Sequence, residues 1–174
     1  MNRDGFLFYQ CFTVPSAKLN KLLKEIFSTI ASETESYLLV KGLATRVRIG
    51  NPPAKGVGST TIYLSMQDYG VDPYFKNHIP NMDDEASQSP NYSQLISFYL
   101  LPVSEDYEMR LQLLEAIVEL FEVKPFFHLT IKKAEFELSI SMRPVTTAGY
   151  EQFWIACQQP SQPVVFYQAR VSSL

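Results

Sequence analysis

Residues 144–174 carry only two charged side chains, Glu151 and Arg170, in a chain that is 19% charged overall. The same segment holds the single tryptophan, in Tyr150-Glu151-Gln152-Phe153-Trp154, and then runs through Val164-Val165-Phe166-Tyr167-Gln168-Ala169-Arg170-Val171. Thr146 is placed to cap a short helix with Tyr150, Phe153, Trp154 and Cys157 along one side, and residues 164–171 read as a closing strand. A helix and a strand this poor in charge must pack within the fold or against another chain. The first question is therefore what this chain packs against.

The remaining pattern supplies the partners. A helix stripe of Leu19, Leu22, Leu23, Ile26, Phe27 and Ile30 follows Ser16, and the polar run Ser32-Glu33-Thr34-Glu35-Ser36 is expected to end it. Residues 45–49 and 60–69 read as strands, the second with Ile62, Leu64 and Met66 on one face. Residues 94–101 are almost continuously apolar, the pattern of a strand covered on both faces. Ser104-Glu105-Asp106 opens a second helix, whose expected stripe is Leu111, Leu114, Ile117, Val118 and Phe121, with Pro125 at its exit. Phe136, Leu138, Ile140 and Met142 alternate in a further strand. The order α-β-β-β-α-β-α-β predicts an α+β fold: one domain over residues 16–174, with a mixed, mostly antiparallel sheet packed with about three helices. Residues 1–15 read as an N-terminal arm. At 174 residues the chain is long enough to bury roughly two-thirds of its unfolded surface.

Several classes of chemistry find no support. The net charge of −3 offers no basic footprint for nucleic acid. No apolar run reaches the ~18 residues that cross a bilayer, so direct membrane insertion is not expected. Cys11 and Cys157 stand far apart among apolar neighbours and read as buried thiols. His78 falls in a long polar loop over residues 70–90, and His128 reads as a turn residue; neither has ligand spacing, so no metal or other cofactor is expected. Residues 50–60 lack the Gly-Lys-Ser/Thr order of a phosphate loop and contain two prolines without amide donors. No enzymatic activity is expected. Arg46 and Arg48 point the same way on a predicted strand flanked by Lys41 and Lys55. They form either an ordinary solvated face or a positive patch for an acidic protein.

Five features then occur in one order. They are Arg48-Ile49-Gly50-Asn51-Pro52, a strand entering a Gly-x-Pro turn; Leu64-Ser65-Met66-Gln67 followed by Tyr74-Phe75-Lys76-Asn77; and the strand Leu95-Ile96-Ser97-Phe98-Tyr99-Leu100-Leu101. A helix with Leu113-Leu114 and an exit at Pro125-Phe126 comes next. Last are Arg143-Pro144-Val145, Phe153-Trp154 and Gln159-Pro160 ahead of the closing strand. In these features, from about Leu19 to the end, the chain resembles the tail-terminator or cap proteins of phage-tail-like contractile injection systems. Lys76 stands where that family carries an arginine.

The resemblance implies a structural protein that forms a ring, a hexamer, on the end of the inner tube and sheath and stops their polymerisation. Its partners would be the tube protein, the sheath protein and further copies of itself, and it would sit in the cytoplasm as part of an assembled particle. Arg46, Arg48, Lys76, Asn77, His78 and Arg170 are the candidate partner-binding residues. The alternatives are an assembly chaperone of the same machine, or a small-ligand domain with a pocket near Tyr99 and Trp154.

Overall fold

A computed structural model of the chain describes residues 17–53, 59–71, 93–131, 134–157 and 161–173. The expected arm, the Ser16 cap, Cys11, Lys55, and Lys76, Asn77 and His78 lie outside the described residues. The described elements are α1 (Ala17–Val40), β1 (Arg46–Ile49), β2 (Thr61–Val71), β3 (Ser93–Val103), α2 (Tyr107–Val123), β4 (Phe126–Ile131), β5 (Ala134–Met142), α3 (Thr147–Cys157) and β6 (Val165–Ser173). The fold is α+β, as expected, with six strands in the order β1-β2-β3-β6-β5-β4. Among the described strands only the β1–β2 pair is parallel.

The first helix corrects the sequence reading. The polar run does not end it, because three of its five side chains find partners. Thr34 is fully buried and its hydroxyl donates to the Ile30 carbonyl at 2.7 Å. Glu33 pairs with Lys124 at 2.7 Å, and Glu35 accepts the Val47 backbone N–H at 2.7 Å. The helix thereby continues for another turn and more and buries Leu38 completely. Gly42 stops it: with φ of +76°, its N–H bonds to the Leu39 carbonyl while the Leu43 N–H bonds to that of Leu38. That is a Schellman cap, which needs the left-handed backbone that glycine adopts without strain.

Helix α2 starts where expected, with the Asp106 side chain accepting the Glu108 N–H at 2.9 Å. Its buried face keeps Ile117 and Phe121 of the expected stripe but is turned away from the rest of it. Leu113, Ala116, Ile117, Leu120 and Phe121 point inward, whereas Leu111 is exposed. The helix is apolar over more than one stripe, and the sheet selects which stripe is covered.

A strand was absent from the sequence reading. His128 is not a turn residue but lies within β4, where exposed Phe126, His128 and Thr130 alternate with buried Phe127 and Leu129. In sequence, Lys132-Lys133 separates this alternation from that of β5, a hairpin spacing without the usual glycine or asparagine.

Two cores result. On one face of the sheet, α1 and α2 cover Ile62, Leu64, Ile96, Phe98, Leu138 and Tyr167. On the other, α3 covers Tyr63, Tyr99, Leu101 and Phe166 through Trp154. Strand β3 is thus buried on both faces, as its sequence indicated. A bulge in β2 leaves Gln67 unmatched between the Met66–Phe98 and Asp68–Ser97 pairs, which returns Tyr69 to the side of the larger core. The charge-poor segment divides accordingly. Its strand β6 is central and buried, but α3 buries only Trp154 and leaves Ile155 76% exposed.

Two outcomes follow for stability. Gly42→Ala is expected to cost about 1 kcal/mol in urea unfolding, because alanine must adopt the left-handed conformation. Tyr167 stacks on Phe98 at 5.7 Å, and its hydroxyl is buried with no hydrogen-bond partner among the described residues. Burial, assisted by the charge of Glu122, pushes its phenol well above the ordinary range. The phenol stays neutral in the folded state while the unfolded chain ionises near pH 10, so stability falls as pH rises from about 10. Tyr167→Phe should shrink that alkaline loss, measured by urea midpoints from pH 8 to 11, and leave the midpoint at neutral pH unchanged or higher.

Candidate interaction surface

Strand β1 sits at one edge of the sheet, and its alternation divides its side chains. Val47 packs toward the core under α1, while Arg46 and Arg48 are exposed on the opposite face, in register with Thr61 and Tyr63 of β2. No carboxylate pairs with either arginine among the described residues. The Glu35 carboxylate occupies the Val47 N–H, which would otherwise point out of the sheet. This edge is thereby protected against strand addition.

The turn that follows is pinned to the same face. Gly50 has φ of +131° and donates its N–H to the Leu64 carbonyl at 2.9 Å, extending the parallel ladder by one bond. Asn51 then turns its side-chain carbonyl over the sheet, where it accepts from Ser65 Oγ at 2.6 Å and from the Tyr99 hydroxyl at 3.2 Å. Both donors belong to nearly buried residues. The arginine strand is thus tied, through one amide, to the aromatic cluster under α3. Sequence reading noted the Gly-x-Pro turn and missed the role of Asn51, whose partners are 14 and 48 residues away.

The space between Tyr99 and Trp154 is occupied among the described residues. Phe153 fills the space, with ring centroids 5.0 Å from both Tyr99 and Trp154 and 5.1 Å from Phe166. The Tyr150 hydroxyl donates to the Gln162 carbonyl, closing the cluster. Burial raises the Tyr99 phenol and the Cys157 thiol above their ordinary values, so both hold their protons. A thiol protonated in this way is a poor nucleophile. Among the described residues no cluster of histidine, cysteine and carboxylate side chains could hold a metal ion, and no helix is long and apolar enough to cross a membrane.

The other candidates fall in different places. Arg170 is exposed on β6, on the same sheet face as Arg46 and Arg48, in register with Leu95 and Ser139. It lies three strands and roughly 20 Å along the strand direction from the arginine pair, so the structure does not join them into one patch. Lys41 does not flank that patch either. It pairs with Glu119 of α2 at 2.7 Å and lies over the Tyr37 ring at 5.4 Å. The hydrogen bond to Glu119 raises the lysine and lowers the glutamate.

A surface concavity lies along α2. It encloses about 410 Å³ and is lined by Leu111, Leu114, Glu115, Val118, Glu119 and Glu122. Sequence reading assigned three of these, Leu111, Leu114 and Val118, to the core.

This arrangement defines a two-core α+β domain with a charged edge strand and a bare, acidic helix flank. The same fold occurs in the sheath/tube terminator of an extracellular contractile injection system, PVC, whose structure was determined in the extended state by cryo-electron microscopy. The two superpose with a TM-score of 0.60 over 87% of this chain at 11% sequence identity, and the chain spans 56% of the length of that protein. No protein-family model matches the sequence, and no curated protein matches it significantly.

Asn51→Ala is expected to cost about 1–3 kcal/mol, because it strands the Ser65 and Tyr99 hydroxyls at buried positions. Denaturant unfolding measures the loss. Asn51→Asp, which keeps an acceptor, should lose less.

Proposed function

We propose that this protein is a structural terminator of a contractile injection system. In this reading it closes the end of the inner tube and sheath as a ring, a hexamer, and stops their growth without catalysing a reaction. The observation that carries the reading is the fold shared with a sheath/tube terminator over 87% of the chain. The ordered sequence features that resemble the tail-terminator family give independent support, because they rest on residues rather than on backbone shape.

The mechanism is geometric. A terminator must present one surface that repeats the contacts of an incoming subunit and another that offers none. A head-to-tail contact closes into a ring only when the rotation per subunit divides the circle. The residues proposed to meet tube, sheath or neighbouring copies are Arg46, Arg48 and Arg170 on the sheet face, together with Lys76, Asn77 and His78. As part of such a particle the protein would be found where the particle is assembled, in the cytoplasm.

Imaging of particles assembled with and without this protein tests the reading. Particles lacking it should show tubes and sheaths of uncontrolled length or unstable sheath ends, and antibody-labelled protein should mark one end of the complete particle. An unchanged length distribution, with no label at an end, would sink the proposal.

A further inference from the structure

Helix α2 carries two apolar stripes and the fold covers one. The other stripe is Tyr107, Leu111, Leu114 and Val118, at intervals of four, three and four residues, which places all four side chains on one flank, the last two of them half-buried. Tyr107 is 57% exposed and Leu111 42%. Glu115, Glu119 and Glu122 border the stripe, and with Leu111, Leu114 and Val118 they line the concavity of about 410 Å³. Lys41 engages Glu119. No cation pairs with Glu115 or Glu122 among the described residues.

On the far side of the sheet, β1 presents the complementary chemistry. Arg46 and Arg48 are exposed there without a carboxylate partner among the described residues. The core occupies the sheet face under α2 and the arginines occupy the opposite face, so the two surfaces cannot meet within one chain. Symmetric pairing of α2 with α2 would set carboxylates against carboxylates. Pairing with the arginine strand of another copy neutralises both sets.

Resting on the ring reading above, we propose that the acidic flank of α2 in one copy docks on the Arg46–Arg48 strand of the next. Glu115 and Glu122 then face the two guanidinium groups, and Tyr107, Leu111, Leu114 and Val118 lie against the aliphatic stems of the arginines. Along the helix the two carboxylates are about 10 Å apart, and along the strand the two arginines are about 7 Å apart. Side chains of this length span the difference. The contact is heterologous, so it propagates head to tail rather than closing a two-fold dimer, and it gives a ring where the rotation per subunit divides the circle. Its association weakens as salt screens the four charges.

A charge exchange tests the contact on the purified full chain by multi-angle light scattering at low and high salt. The wild type should form an oligomer larger than a dimer whose association weakens with salt. Both Arg46→Glu/Arg48→Glu and Glu115→Arg/Glu122→Arg should weaken self-association at least tenfold, and each variant should keep the wild-type circular dichroism spectrum and unfolding midpoint. Mixing the two variants should restore assembly, because each supplies the surface the other now fits. A monomeric wild type, variants that assemble like the wild type, or a mixture that stays dissociated would each overturn the proposal. A wild type that is monomeric alone, yet loses particle binding on Glu115→Arg/Glu122→Arg, would assign the flank to a basic segment of another protein instead. An oligomer that obeys the exchange but is absent from particle ends would overturn the terminator reading and leave this contact standing.

Discussion

The fold depends on burying β3 and β6 on both faces at once. Ile96, Phe98 and Leu100 of β3, with Tyr167, Ala169 and Val171 of β6, face the helix pair, while Tyr99, Leu101 and Phe166 face α3. A strand apolar on both sides has no stable position in a two-layer domain; it requires a cover on each face. That requirement accounts for α3, a short helix that contributes a single fully packed side chain, Trp154. It also accounts for the low charge of the last segment. The β3–β6 ladder joins a half built from β1, β2 and β3 to a half built from β4, β5 and β6, so the interior of the molecule is continuous across its centre.

Much of this was legible in the sequence because local periodicity and burial agree there. The apolar stripe of α1, the double-sided character of β3, the alternation of β5 and the capping acids of α2 each follow from one rule applied over a few residues. The misses have a common cause. The polar run in α1 breaks a helix in isolation, but Thr34 bonds back to Ile30, and Glu33 and Glu35 find partners at the C-terminal cap of α2 and on β1. Helix α2 is apolar around more than half its circumference, and nothing local distinguishes Leu113 from Leu111 or Leu114. Strand β4 was absorbed into a helix exit because its turn lacks a glycine.

The candidate surface was legible to the same degree. Arg46 and Arg48 lie on one side of an edge strand, as alternation required. Their isolation from Lys41 and Arg170, and the fastening of their exit turn through Asn51, are tertiary facts. The acidic flank of α2 was visible in sequence only as core, because a second apolar stripe on a helix looks the same whether it serves the fold or a neighbour. Fold comparison supplied what local pattern could not, the shape that these elements take together.

The continuation of α1 through its polar run has a mechanical consequence. At 24 residues the helix is about 36 Å long, and it packs against both edge strands, β1 and β4. Six strands span about 24 Å, so one rod crosses the whole sheet. A load applied at either edge travels to the other along a single hydrogen-bonded axis instead of through each ladder in turn. The two edges therefore behave as ends of one beam, with Glu33 and Glu35 as the points at which that beam is bolted down.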